Sequence, residues 1–417
     1  MRKLPASLLQ SVGVDVAPLV YPGRIVMARF CGVRWRVATL RSRQKKASGG
    51  GSGLVRGESC GVTNKAVAGD SDDRTVLYAG DFALECWRRS PRNTVPSALM
   101  VSGFSLERCT ADAIVLRTLS LRQFDSIGVE PEVIVGHQNR RTRRQGVRCR
   151  CLSTRLAPGS VCGFGKAMIL SPEACFVESA SDMSFIRLVE LGLELCGTYS
   201  LDWKTKKGFR ERTPLTSAQR ILRLLDGMDS GVREIRRAKR ALAWVRDGSA
   251  SPKESQLIMA LTLPTAIGGF GMPVPQINYP IPLGRKDVLR GSPTHYRVDL
   301  YWPEVRVSVE YQSDSEHTGD PEKTYQDQGR RDELLSMGVR QLCFNASHMR
   351  HAGSFEKQVE RLSALIHATF PERGALDKER FGMLLAWLGR PQHMHPNLDE
   401  REVPELLRGV PRNGGRA

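Results

Sequence analysis

The sequence predicts an α/β protein with a C-terminal α-β-β-β-α-β core, a mixed α/β N-terminal domain and a basic helical bridge between them. Three observations carry this expectation. Val305, Val307, Val309 and Tyr311 alternate with Arg306, Ser308, Glu310 and Gln312, the period of a strand buried on one face. Val298 and Leu300 flank Asp299 in the same manner, and Trp302-Pro303-Glu304 supplies a turn, because Pro cannot donate to a ladder; the two runs therefore read as a hairpin. Charge is also segregated. Of a formal net charge of +18, residues 251–370 hold 13 Lys or Arg against 14 acids, so the positive surplus lies outside the core.

Residues 1–75 read as a basic, disordered extension. Up to Lys46 there are ten Lys or Arg against one acid, Asp15, and a Ser/Gly linker follows over 48–53. A nucleic-acid arm and an organelle-targeting segment are the competing readings. Residues 76–200 read as a small α/β domain. Phe82, Ala83, Leu84, Cys86 and Trp87 mark a buried helix, while 133–135 and 167–170 mark short buried strands. Arg140, Arg141, Arg143, Arg144, Arg148 and Arg150 crowd one loop and the strand after it, and suit either phosphate oxygens or a solvated loop. The run Ser171-Pro172-Glu173-Ala174-Cys175-Phe176 opens a helix that continues through Phe185, Leu188, Val189 and Leu193, with Glu173 as a first-turn acid.

Residues 201–249 read as the bridge, with 13 Lys or Arg against four acids over 203–246. Val232, Ile235, Ala238, Leu242 and Val245 form its buried stripe, leaving Arg233, Arg236, Arg237 and Arg240 outside as a phosphate-binding or merely solvated face. The core spans 250–370. Ser251-Pro252-Lys253-Glu254 starts its first helix as N-cap, first helical residue and capping-box acid. A strand over 277–281, the hairpin, a helix over 328–337 and a strand over 339–344 complete it. Helices at 355–366 and 381–388 follow, with 371–417 otherwise a disordered tail rich in Pro, Gly and Arg.

Composition narrows the function classes. A sequence pI near 9.8 favours an acidic partner, nucleic acid before membrane, since no apolar stretch reaches the roughly 18 residues that a membrane helix requires. Ten cysteines lie without a CxxC pair and read as reduced structural thiols of a cytoplasmic protein.

A hairpin turning around Glu304 and Val305 puts Asp299 opposite Glu310, with Cβ atoms roughly 5 Å apart. Two such acids are either an exposed polar pair or the oxygen ligands of Mg²⁺ or Mn²⁺. With Glu-x-Gln at Glu310, a histidine at His317, and Asp327, Arg330, Leu334 and Gly338 spaced as D-x-x-R-x-x-x-L-x-x-x-G, the segment 250–370 resembles the PD-(D/E)xK nuclease superfamily and its Vsr-like endonuclease branch. That resemblance implies a restriction-endonuclease-like fold and a metal-dependent DNA endonuclease acting on double-stranded DNA. Asp299 and Glu310 are then the metal ligands, and His317 a base or phosphate partner. Glu254 is a further site acid, or only a cap. Gln312 stands where the motif has lysine and cannot supply its charge; Lys323 and above all Arg330 are the replacement cations. The α/β order around 76–197, with a strand running into S-P-E-x-C-F, is weakly similar to type IV abortive-infection antitoxins of the AbiEi kind. The alternative function is accordingly an inactive nucleic-acid-binding or antitoxin-like protein retaining the nuclease fold. A partner toxin and a homodimer both stay open.

Overall fold

The computed structural model describes residues 74–112, 128–142, 146–152, 156–229, 231–283, 294–312, 321–369 and 372–390. The expected N-terminal extension, save Arg74 and Thr75, and the tail past 390 lie outside them.

A five-stranded sheet organises the first half. Its strands are β1 (Leu77–Ala79), β2 (Glu132–Val135), β3 (Arg148–Cys151), β4 (Val161–Phe164) and β5 (Ala167–Leu170), in the order β3-β2-β1-β5-β4. β1 runs parallel to β5 and antiparallel to β2. It enters α1 (Gly80–Arg89) through Gly80 at φ +61°, where a Cβ would stand 2.6 Å from a Glu132 carboxylate oxygen. Any other residue would be strained at that φ and would have to displace the Glu132 carboxylate. Trp87 on α1 is fully buried, and its indole N–H donates to the Leu170 carbonyl at 2.7 Å.

The long helix expected from Ser171 is two. α2 (Pro172–Ser179) stops, and Ser184 accepts from the Arg187 N–H to start α3 (Phe185–Leu195). A second Ser N-cap inside the run restarts the helix. Glu173 is the first-turn acid of α2, as expected, and it is buried there. It is 2% exposed and accepts from Arg220 and Thr216, each at 2.7 Å. Between α1 and α3, Arg88 is buried with two acids, donating to both Glu194 oxygens at 2.9 and 2.7 Å and to Glu85 at 2.8 Å.

The stretch expected to bridge the halves packs on this first layer. It holds the hairpin β6 (Tyr199–Leu201) and β7 (Phe209–Glu211), then α4 (Ala218–Asp226) against α2, and α5 (Arg233–Leu242) against α2 and α3. Ile235, Ala238 and Leu242 are buried as their spacing predicts. Much of its positive charge turns inward. Arg212 donates to the Trp87 carbonyl at 2.6 Å, and Arg210 donates to the carbonyls of Ser90, at 2.7 Å, and Arg88, so both cap the electronegative end of α1. Burial, then the neighbouring Arg210 charge, lowers the Arg212 guanidinium to about 10.

The second half runs α6 (Pro252–Thr262), β8 (Gln276–Pro282), β9 (His295–Trp302), β10 (Val307–Gln312), α7 (Pro321–Ser336) and β11 (Arg340–Asn345), giving the order α-β-β-β-α-β. Its sheet is ordered β11-β10-β9-β8, with β9 antiparallel to both β8 and β10, and β10 parallel to β11 across the α7 connection. The hairpin turn takes in residues 303–306, so Val305 leaves the strand for the turn, and Arg306 adopts φ +51°. The face expected to be polar is partly covered: Ser308 is fully buried, while Glu310 and Gln312 are half-buried.

α8 (Ala346–Arg350), α9 (Ala352–Ile366) and α10 (Ala375–Gly389) close the fold, with Phe355 and Phe381 fully buried beside Phe270. α10 returns to the first layer, where Glu190 on α3 accepts from the Trp387 indole at 3.3 Å and from Arg390 at 3.1 and 2.8 Å. One hydrophobic cluster runs from Val76 to Leu388 and includes side chains of α6, β9 and β10. The two sheets share a core.

Candidate active site

The ladder pairs Val307 with Trp302, Ser308 with Tyr301 and Val309 with Leu300. Continued by one residue, that register sets Glu310 across from Asp299, and the Tyr311 N–H donates to Asp299 Oδ2 at 2.7 Å. On the other side of Asp299, Asn278 falls between the pairs Ile277 with Leu300 and Tyr279 with Val298, and its φ of +48° breaks the ladder there. Glu310 in turn pairs with Cys343 on β11. A row across four strands therefore reads Asn278, Asp299, Glu310, Cys343.

α7 supplies the cation. Arg330 donates to Glu310 Oε1 at 2.7 Å and also to the Arg297 carbonyl, and its guanidinium lies 5.6 Å from the centre of the Tyr296 ring. The helix pattern has a physical reading. Leu334 is fully buried in a small cluster with Val298, Ile281 and Val339, which seats the helix, and Gly338 at φ +78° ends it. Arg330, one turn before Leu334, is thereby held over the acids. Tyr296 donates its hydroxyl to Glu333 on the same helix.

Burial, then the charge of Glu310, then that of Glu254, pushes the Asp299 carboxyl well above the usual carboxylate range; the Tyr311 N–H and Arg330 pull it back only in part. The free protein therefore keeps a proton on Asp299 into pH values where a surface aspartate has lost it. Glu254 acts on Asp299 by charge, since its own oxygens are committed elsewhere. They accept from the Ala250 N–H at 2.8 Å, the Asn278 amide at 2.9 Å and the Ser251 hydroxyl at 3.0 Å, while the Glu254 N–H donates back to Ser251 at 3.2 Å. Burial raises the Glu254 pKa against these three hydrogen bonds. Both readings of Glu254 thus have a physical basis, with the cap as its direct bonding role.

This bonding makes a prediction. Glu254→Gln can keep its carbonyl oxygen under Ala250 and Asn278 and turn its amide to Ser251, so it should cost less than about 1 kcal/mol. Glu254→Ala strips the cap and leaves buried donors unsatisfied, so urea unfolding should register a loss of about 2 kcal/mol.

Gln312 ends β10 in register with Asn345, on the face that alternation gives to Glu310. His317 and the Lys323 side chain lie outside the described residues. Gln341 had no sequence signal, yet its amide donates to Glu310 at 3.3 Å because β11 lies parallel to β10. Asn278 was likewise unmarked. Among the described residues, no group of three or more His, Cys, Asp or Glu side chains is arranged to hold a metal. Two carboxylates completed by water and substrate oxygens are nonetheless a common way to hold Mg²⁺.

No protein-family model, curated protein or solved structure matches this chain. Among the described residues no helix is long and apolar enough to cross a membrane.

The arginine clusters divide. Arg141 is exposed, donating to the Cys149 carbonyl at 2.9 Å, whereas Arg140 is half-buried. Arg148 pairs with Glu130 at 3.1 Å, and Arg150 pairs with Glu132, also at 3.1 Å, and with Glu178. Arg143 and Arg144 lie outside the described residues. On α5, Arg233, Arg236 and Arg240 are exposed. Arg237 does not belong with them: it is half-buried and donates to the Ser181 carbonyl at 3.1 Å and to that of Met183, tying down the α2–α3 connection. A long side chain on the flank of the helix finds carbonyls that a solvent-facing one would miss.

Proposed function

We propose that residues 250–370 form a metal-dependent DNA endonuclease of the PD-(D/E)xK superfamily, in its Vsr-like branch, hydrolysing phosphodiester bonds with Mg²⁺ or Mn²⁺ held by Asp299 and Glu310. The observation that carries the reading is the facing of these acids on adjacent strands, where a divalent ion can take the place of the Asp299 proton and the Arg330 contact that otherwise offset their repulsion. When bound, the ion polarises the phosphoryl group and acidifies an attacking water. The chain's own residues do the rest. Asp299 and Glu310 would hold the ion, and the Tyr311 N–H fixes one Asp299 oxygen. Arg330 brings the positive charge that the motif lysine gives elsewhere, and Gln312 can orient a water but not charge it. His317 stands as base or phosphate partner in this reading.

Gln312 favours a second reading, an inactive nucleic-acid-binding or antitoxin-like protein that retains the nuclease fold. Plasmid incubated with the full chain and Mn²⁺ separates the two. Nicking that EDTA stops and Asp299→Asn lacks supports the enzyme. Tight DNA binding without nicking supports the second.

In either reading the exposed α5 arginines are the candidate backbone contacts. Changing Arg233 and Arg240 together to Gln should reduce the slope of log affinity against log salt by up to about 2, with equal loss on unrelated duplexes. A slope unaltered by the pair would remove α5 from the DNA-binding surface.

A further inference from the structure

Arg330 holds more than a share of the site's charge. Its Nη2 donates to Glu310 Oε1, the same oxygen that Gln341 approaches, so part of the carboxylate that an ion would use is already bonded. Its Nε is buried with no acceptor, its side chain remains 32% exposed, and the Tyr296 ring lies along its flank. Among the described residues the bonds of the guanidinium all run through Nη2, to Glu310 and to the Arg297 carbonyl, and a side chain still 32% exposed can exchange the carboxylate for a phosphate, which accepts from the same planar fork.

We propose that Arg330 is a latch on the acid pair: in the free protein it occupies Glu310 in place of a divalent cation, and a phosphodiester entering the site draws it off and admits the metal. The inference rests on the nuclease reading of Asp299 and Glu310. It adds that metal and nucleic acid bind with positive coupling, because each removes a competitor of the other. The coupling is reciprocal by linkage: duplex DNA tightens Mn²⁺ by the factor by which Mn²⁺ tightens duplex DNA. A nuclease built this way carries little metal until it is on a strand.

The test is Mn²⁺ binding by calorimetry to the full chain, native and Arg330→Gln, with and without a duplex oligonucleotide, after circular dichroism has shown that the variant is folded. Without DNA, Arg330→Gln should bind Mn²⁺ on the order of tenfold more tightly than the native chain, the scale of one charge-assisted hydrogen bond lost by the competitor. DNA should tighten Mn²⁺ binding to the native chain and leave the variant nearly unchanged. Arg330→Lys, which keeps the charge without the fork, should fall between. If the native chain binds Mn²⁺ and Arg330→Gln binds it equally or more weakly, the latch is wrong while the metal site stands. If neither binds Mn²⁺ with or without DNA, the metal reading fails and takes the latch with it.

Discussion

Asp299→Asn is expected to abolish metal-dependent cleavage, with a rate loss of at least about 100-fold, since losing even an outer partner of a metal costs 10–100-fold. The same change should leave the metal-free protein as stable as the native chain or more so. The Asp299 pKa is raised in the folded state by burial and by Glu310 and Glu254. A carboxyl that binds its proton more tightly folded than unfolded costs stability as pH rises from its unfolded value, about 4, to its folded one, at about 1.4 kcal/mol per pH unit between them. Below that window the native chain and the variant should match; through it the variant should gain, and above it the gap should stay constant. The asparagine still accepts from Tyr311. Mn²⁺ should then reverse the order, adding about 2.7 kcal/mol to the native chain at a hundred times its dissociation constant and nothing to the variant. Thermal melts at several pH values, with and without Mn²⁺, check each part. A native protein indifferent to millimolar Mn²⁺ and Mg²⁺, with DNA present as well as without it, would move the balance to the inactive-nuclease reading.

Arg88→Leu is expected to cost about 3–5 kcal/mol, the range for breaking a buried ion pair from one side. Glu85 and Glu194 are 3% and 4% exposed, and Arg88 meets both. Arg89 also reaches Glu85, at 3.5 Å, but Glu194 loses the bidentate partner that balances it. One Glu194 oxygen accepts from the Leu201 N–H at 3.0 Å, so the damage should spread to the β6–β7 hairpin. Urea unfolding measures the loss. Arg88→Lys, which replaces a fork with a point charge, should recover only part of it. A loss under 1 kcal/mol for Arg88→Leu would mean that water reaches these acids.

The hairpin was legible because two signals agree on one register. Period-two alternation places Val307 and Val309 inward, and Pro303 keeps the turn from joining the ladder; a slip of one residue would have turned Glu310 into the core. Arg330 was legible only through the resemblance, whose D-x-x-R-x-x-x-L-x-x-x-G pattern spans one helix and the glycine that ends it. Gln341 was not, because its place beside Glu310 depends on β11 lying parallel to β10 after a helical crossover, which no local pattern encodes. Face-by-face reading also misjudged Arg237, placed on the outer side of its helix, and the charge count over 203–246 gave no sign that Arg210, Arg212 and Arg220 reach carbonyls and a buried acid on neighbouring elements. Glu173 was legible as a first-turn acid, but its burial and its bonds to Arg220 and Thr216 were not, since they depend on the packing of α4 on α2.

The Glu190 contacts with Trp387 and Arg390 join positions separated by 197 and 200 residues of chain. On the ribosome, α3 and the five-stranded sheet emerge long before α10 has been synthesised, so Glu190 on α3 waits in water for its Trp387 and Arg390 donors until the last described helix arrives. Contacts of such separation form late and slowly. Truncation after residue 370 should therefore leave the first layer folded and lose that layer only the stabilisation that Glu190 draws from Trp387 and Arg390, which urea unfolding of the truncated chain would register.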